Sequence, residues 1–174
     1  QAGDGQMCDA VIDRGTLLAI MQAAKKADDS LLRDYAETTV AVADIKIAVR
    51  SMKTGKNKDF MKRAMAECNT LDIDRLATAA VAGMEEIERY LADTAYAGGA
   101  EALSESASAF ERWCDNRIIE TIKPQKYNPF TVGPIVAYIL ARLNEIKTVR
   151  IILTCKLNQL PEEAIRERVR EMYV

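Results

Sequence analysis

The chain has 174 residues, 49% of them hydrophobic, enough for one larger domain or two small ones with real cores. Its 24 Lys and Arg against 26 Asp and Glu leave a net charge of −2, without the basic excess of a general nucleic-acid binder. There is no His, which removes the commonest general base and metal ligand. Cys8, Cys68, Cys114 and Cys155 lie far apart, with neither a CxxC pair nor zinc-site spacing, and are expected as reduced thiols that tend to burial.

Aromatic content of 6%, with only 8 Gly and 4 Pro among repeated Ala, Leu, Ile, Glu, Lys and Arg, predicts an all-α chain. Residues 1–6 read as a tag or cut remnant and are set apart. Residues 13–27 form a short amphipathic helix. Asp28 or Asp29 then caps a long helix to about Lys53, with Leu31, Tyr35, Val42, Ile45, Val49 and Met52 on one face. Gly55 suits its C-terminal cap. Phe60, Met61, Ala64, Met65 and Cys68 mark a third, short helix. Asp72 caps the next segment, and Gly83 divides it.

Gly98-Gly99 is the best internal boundary, giving repeat units at 7–98 and 99–174. A helix is predicted from Ala100 to about Ile122, stopped by Pro124. Residues 127–133 read as a loop, and Pro134 opens a long helix carrying Ile135, Ile139, Leu143, Ile146 and Val149 to about Cys155. Pro161-Glu162-Glu163 opens the last helix, with its acids placed for the helix dipole. The longest uncharged apolar stretch, residues 127–141, falls short of the ~20 residues a spanning helix needs.

An internal repeat supports the two units. Val49-Arg50-Ser51-Met52-Lys53-Thr54-Gly55-Lys56 aligns without a gap on Val149-Arg150-Ile151-Ile152-Leu153-Thr154-Cys155-Lys156, sharing Val, Arg, Thr and Lys. In both copies a long helix precedes the block and a short charged helix follows. This register expects Val49 and Val149 on inward apolar faces. It makes Asp44 and Glu145 candidate partners for Arg50 and Arg150.

No catalytic constellation is present. Residues 53–58 lack the upstream Gly and the Ser/Thr of a phosphate loop, and they follow a helix rather than a strand. Asp72 and Asp74 are explained by capping rather than by a metal. No cofactor or metal is therefore expected. Concentrated charge makes Lys53, Lys56, Lys58, Arg166, Arg168 and Arg170 the candidate partner-docking residues. A generic helical scaffold is the alternative reading.

The segment Tyr127-Asn128-Pro129-Phe130-Thr131-Val132-Gly133-Pro134-Ile135-Val136-Ala137-Tyr138, continuing through Ala141-Arg142, Glu145 and Val149-Arg150-Ile151-Ile152 to Lys156, resembles the C-terminal signature of the V-type and archaeal-type rotary ATPase C subunit, called d in eukaryotes. The ending from Leu160-Pro161-Glu162-Glu163 onward looks like that family's final helix. Pro134, Tyr138, Glu145, Arg150 and Lys156 carry the signature as structural residues. The resemblance implies a funnel-shaped fold of three similar helical subdomains about a pseudo-threefold axis, of which this chain holds the C-terminal two. It also implies a non-catalytic central-stalk subunit of an ion-transporting ATPase, peripheral on the cytoplasmic face. Its partners would be the rotor ring and the central stalk.

Overall fold

The computed structural model describes residues 5–173. Residues 1–4 and 174 lie outside the described residues, so the remnant expected at residues 1–6 is described only at Gly5 and Gln6, and both belong to the first helix. Among the described residues there are nine α-helices, a 3₁₀ turn and no strand. The chain divides into two compact units, Gln1–Ala100 and Glu101–Val174.

Unit 1 is built on two long helices, α1 (Gly5–Ala27) and α2 (Ser30–Lys53), followed by the short α3 (Lys58–Ala64). Asp29 caps α2 by accepting the Leu32 N–H at 3.1 Å, which satisfies one of the otherwise orphaned donors of the first turn. Asn57 caps α3 in the same way through the Phe60 N–H, 2.8 Å. Two further helices, α4 (Ile73–Ala82) and α5 (Met84–Ala92), follow an extended stretch. Asp72 caps α4 by accepting the N–H groups of Asp74 and Arg75. Gly83 separates α4 from α5 at φ +138°, a conformation L side chains rarely adopt.

Helix α2 is the axis of unit 1 and touches α1, α3, α4 and α5. Val40, Ala41, Ile45 and Ala48 on it are fully buried, as are Met61, Met65, Leu76, Ile87 and Leu91 from the surrounding elements. Burial of this kind stabilises by ~1.5–3 kcal/mol per large aliphatic side chain.

The division between the units falls within α6 (Ala97–Glu105), which includes Gly98 and Gly99. Those glycines, expected as the boundary, lie in the first turn of α6, and the division falls just after them. The helix expected from Ala100 to Ile122 is broken at Ser106, whose hydroxyl accepts the Ala109 N–H at 2.9 Å and starts α7 (Ala107–Ile122). A serine outcompetes helix continuation by bonding the backbone ahead of it. The 3₁₀ turn Lys123–Tyr127 contains Pro124 and leads to α8 (Gly133–Leu157), with Pro134 in its first turn, and then to α9 (Glu162–Arg168). Helices α7, α8 and α9 contact one another pairwise.

The two long helices end in the same turn. Thr54, Gly55 and Lys56 donate their N–H groups to the carbonyls of Arg50, Met52 and Ser51; Asn158, Gln159 and Leu160 donate to those of Thr154, Lys156 and Cys155. The second residue of each turn is left-handed, Gly55 at φ +64° and Gln159 at φ +55°. Each turn leads to a helix of 7 residues, and the residue after it is extended, Met65 in one case and Val169 in the other. Lys53 therefore corresponds to Leu157, and the structural register is offset by 104 residues, not the 100 of the sequence block. Four residues are about one helical turn, so the sequence match slid α8 along its own axis. In the structural register Ile45 stands opposite Val149, Asp44 opposite Thr148 and Ser51 opposite Cys155. The last two pairs are buried in both helices, but Ile45 is fully buried while Val149 is 53% exposed. The inward position expected for Val149 is thus corrected.

Candidate functional site

In each unit the extended segment after the short helix is pinned to its long helix by a buried polar group. In unit 1, Asp44 on α2 accepts the Ala66 N–H at 3.0 Å. Arg14 on α1 fixes the same segment by donating to the Met65 carbonyl, 2.7 Å. The second oxygen of Asp44 is buried without a partner, and burial pushes the carboxyl up to about 7 from the ordinary 3.8, against the lowering effects of the Ala66 hydrogen bond and the Arg14 charge. Cys68 lies nearby, its thiol pushed up to about 11, chiefly by burial. A thiol held protonated in this way is a poor nucleophile.

In unit 2, Asn144 on α8 donates to the Glu171 carbonyl at 2.7 Å. Arg170 is buried, and its Nε donates to Asp115 on α7 at 2.7 Å. The other Asp115 oxygen takes Lys147 Nζ, also at 2.7 Å. Arg112 donates to the Glu167 carbonyl and Ser106 to the Glu167 carboxylate. Arg50 and Arg150 do not meet Asp44 and Glu145 as the repeat suggested: Asp44 faces the interior, and Glu145 pairs with Arg142 three residues back on α8. A pair one turn apart on one helix needs no neighbouring element.

The six docking candidates separate accordingly. Lys53 is exposed at the end of α2. Lys56 bonds the Gln6 side chain and lies 5.1 Å from the centre of the Phe60 ring, in cation–π range. Lys58 shares Asp74 with Lys62, at 2.9 and 2.8 Å, and the two cations hold that exposed carboxyl down at about 2. Arg166 is exposed and pairs with Glu162 within α9. Arg168 is half-buried and donates to the Ala164 carbonyl. Arg170 is an internal tie rather than a surface cation. Residues 53–58 form the turn that ends α2 and starts α3, and Asp72 and Asp74 serve capping and ion pairing.

Beside Lys56 runs an open, mainly apolar groove of about 520 Å³ between α1, α2 and α3. Leu17, Ile47 and Phe60 supply apolar surface; Asp9, Asp13, Lys46 and Arg50 supply charge. Such a groove suits an amphipathic segment with both apolar and charged groups. Among the described residues there is no group of three or more His, Cys, Asp or Glu side chains placed to hold a metal. No helix of the described residues is long and apolar enough to cross a membrane.

The signature residues lie on α8. Pro134 is half-buried in its first turn, Tyr138 is 63% exposed, and Arg150 and Lys156 are exposed. They share the outer side of α8 with Ile135, Ile139, Ile146, Val149, Leu153 and Leu157, all exposed. The buried residues of α8 lie on the opposite side: Ala137, Asn144, Thr148 and Cys155. Sequence reasoning missed this outer face because hydrophobicity pointed it inward. The available signal was the row of small and polar residues spaced at seven, four and seven along the other side.

A model of the family described as ATP synthase (C/AC39) subunit matches residues 1–168. The chain belongs to the ATP synthase (C/AC39) subunit family. The C subunit of the A-type ATP synthase of Methanocaldococcus jannaschii is 27% identical over 156 residues, covering 84% of this chain and 39% of that relative. The chain thus spans about two-fifths of the length of that relative. No solved structure matches it. Family membership covers both units, whereas the resemblance read from sequence was strongest in α8 and α9.

Proposed function

We propose that this chain is a non-catalytic coupling part of a V/A-type rotary ATPase, joining the membrane rotor ring to the central stalk of the ATP-hydrolysing head. The carrying observation is the family match across residues 1–168. The relative it resembles is an ATP synthase subunit by name. A part that passes torque needs stiff elements and reversible docking surfaces. Helices of 23 to 25 residues, each about 35 Å long at 1.5 Å per residue, packed side by side within their units, supply stiffness. The groove beside Lys56, together with exposed Lys53 and Arg166, supplies docking chemistry. Its place would be the cytoplasmic face of the membrane, held by its partners, with ATP chemistry and proton or other ion transport left to the rest of the complex.

The test is reconstitution with purified stalk and ring subunits from the same source. Co-elution that weakens as salt rises is expected, because exposed charges are screened beyond ~8–10 Å at physiological ionic strength. Lys53→Glu with Lys56→Glu should weaken assembly with at least one partner. No association with either partner at low salt would refute the proposal. So would saturable binding of magnesium-ATP to the chain in calorimetry, abolished by Lys56→Ala.

A further inference from the structure

In unit 1 two side chains grip a single peptide group. Arg14 of α1 donates its Nε–H to the Met65 carbonyl at 2.7 Å, and Asp44 of α2 accepts the Ala66 N–H at 3.0 Å. That carbonyl and that N–H belong to one planar unit, so α1 holds one end of it and α2 the other. Met65, Ala66 and Asp44 are all fully buried. The gripped peptide opens the extended stretch between α3 and α4. Other groups hold the far end of that stretch. The Glu37 carboxylate accepts the N–H groups of Asn69 and Thr70 at 2.6 and 2.7 Å, and the Tyr90 hydroxyl accepts that of Asp72 at 2.8 Å. The hold on residues 65–66 is thus separate from the hold on residues 69–72.

We propose that Asp44 and Arg14 form a proton-controlled clasp on the Met65–Ala66 peptide, shut while Asp44 carries a proton and opening locally when Asp44 ionises. The geometry leaves the charged form badly placed. One Asp44 oxygen takes the Ala66 N–H, and Oδ2 is buried without a partner. A buried carboxylate with a single hydrogen bond is costly, whereas the neutral acid is tolerated. Arg14 is the charged group whose field reaches Asp44, and its Nε already serves the Met65 carbonyl. From the extended stretch, the Cys68 thiol lies within range of the Asp44 charge and also of Glu37. The buried side chains of α3, α4 and α5 are all apolar and offer no compensation. Burial accordingly outweighs both the Arg14 charge and the Ala66 hydrogen bond in holding the proton. Release of residues 65–66 admits water to Oδ2 and relieves the cost. Composition isolates the response, because the chain has no His, the side chain that ordinarily changes charge between about pH 5 and 8. Thr148, opposite Asp44 in the 104-residue register, cannot ionise, so the clasp belongs to unit 1 alone. Ala64, the residue before the clasped peptide, ends α3 and lines the groove beside Lys56, so the clasp governs how firmly that wall is held. The proposal concerns unit 1 itself and does not depend on what the groove binds.

The test is amide exchange of the full chain read by NMR, corrected for the intrinsic effect of pH, together with the carboxyl-carbon shift of Asp44. The Ala66 N–H is the one bonded to Asp44, so it reports the clasp directly. A group that holds its proton more tightly in the closed form than in the open form weakens closure as pH rises. Opening at Ala66 should therefore rise roughly tenfold per pH unit from about pH 5 to about 7 and level off above. Local opening exposes little surface, so dilute urea should leave exchange at Ala66 unchanged while accelerating it at Ile45 and Val49 in the core of α2. Asp44→Asn keeps an oxygen for the Ala66 N–H and should abolish the pH dependence. Arg14→Gln removes the positive charge beside Asp44 and should move the Asp44 titration to higher pH. Ala66 exchanging at the rate of Ile45 at every pH and urea concentration would overturn the proposal, since the peptide would then leave only with the whole unit. So would a pH dependence that survives Asp44→Asn, or an Asp44 carboxyl already ionised at about pH 5. If Asp44→Asn does not fold, the Asp44 carbon shift and Arg14→Gln still decide, and a titration that moves to lower pH in Arg14→Gln would refute the clasp.

Discussion

Helices α2 and α8 end in the same hydrogen-bonded turn and lead to helices of the same length, yet α2 is wrapped on two faces and α8 on one. Ile45 and Val149 hold corresponding places, and only the first is buried. A shared local solution therefore does not fix the environment of a residue; the elements that come after it do. In unit 1, α2 also contacts α4 and α5, and Leu31, Val42, Ile45 and Val49 on it are buried. In unit 2 the same face stays on the surface.

The sharpest way to break this comparison is a pair of truncations. Ile45→Ala should destabilise by ~2–5 kcal/mol, because it leaves a cavity in a fully packed site. Val149→Ala should change stability by less than ~0.5 kcal/mol, as expected at an exposed position. Urea titrations of both variants, followed by probes in each unit, decide it. Equal losses would mean that the α8 face is buried.

The second difference is one of titration. Asp44 has its carboxyl raised to about 7, while Thr148 in the corresponding place cannot ionise. The folded state then keeps a proton that the unfolded chain has released. Stability of unit 1 is full below about pH 4, falls as pH rises through about 7, and then levels off. The total is roughly 4 kcal/mol, since each tenfold change in proton affinity is worth ~1.4 kcal/mol. Asp44→Asn keeps an oxygen for the Ala66 N–H and should flatten this dependence, as read by denaturation between pH 4 and 8. An unchanged slope would assign the titration to another group.

Next in size is Arg170. Its pair with Asp115 holds the chain end against α7, where unit 1 uses the Asp44 bond to Ala66. Arg170→Ala should cost about 3 kcal/mol, near the low end for a broken buried pair because Asp115 also holds Lys147. Arg166→Ala, which removes an exposed pair, should cost less than ~0.5 kcal/mol. The smallest expected effect lies in the turn. Gln159 adopts the left-handed conformation that Gly55 takes without strain, so Gln159→Gly should raise stability by ~0.5–1 kcal/mol and Gly55→Ala should lower it by a similar amount. Thermal melts of the two variants should shift in opposite directions.

Much of the fold is local chemistry and was legible in the sequence. Asp29, Asp72, Pro134 and Pro161 sit at the helix starts that their side chains or missing N–H predict. Gly55 follows the end of α2 as a left-handed cap residue. The family signature was legible because it is a string of particular residues in α8. What depends on neighbours was not. Periodicity shows which residues of α8 share a face but not which face meets protein, and its apolar residues faced outward. Arg170 looked like one more cation in a charged helix; its burial depends on Asp115, distant in sequence. Gly98 and Gly99 marked the internal boundary, but not that they lie in the first turn of a helix. Four identities in the repeat block outweighed the turn geometry, and the register moved by one helical turn.

Helix α8 leaves an apolar face on the surface, while its counterpart α2 also contacts α4 and α5 and buries the corresponding residues. Hydrogen exchange read by mass spectrometry on the free chain tests it most directly, comparing peptides over residues 41–49 and 145–153. Enclosed helices exchange through openings near the global free energy of unfolding, and helices with one free face through smaller, local openings. Exchange at 41–49 is expected to be much slower than at 145–153. Equal protection of the two peptides, or slower exchange at 145–153, would contradict it.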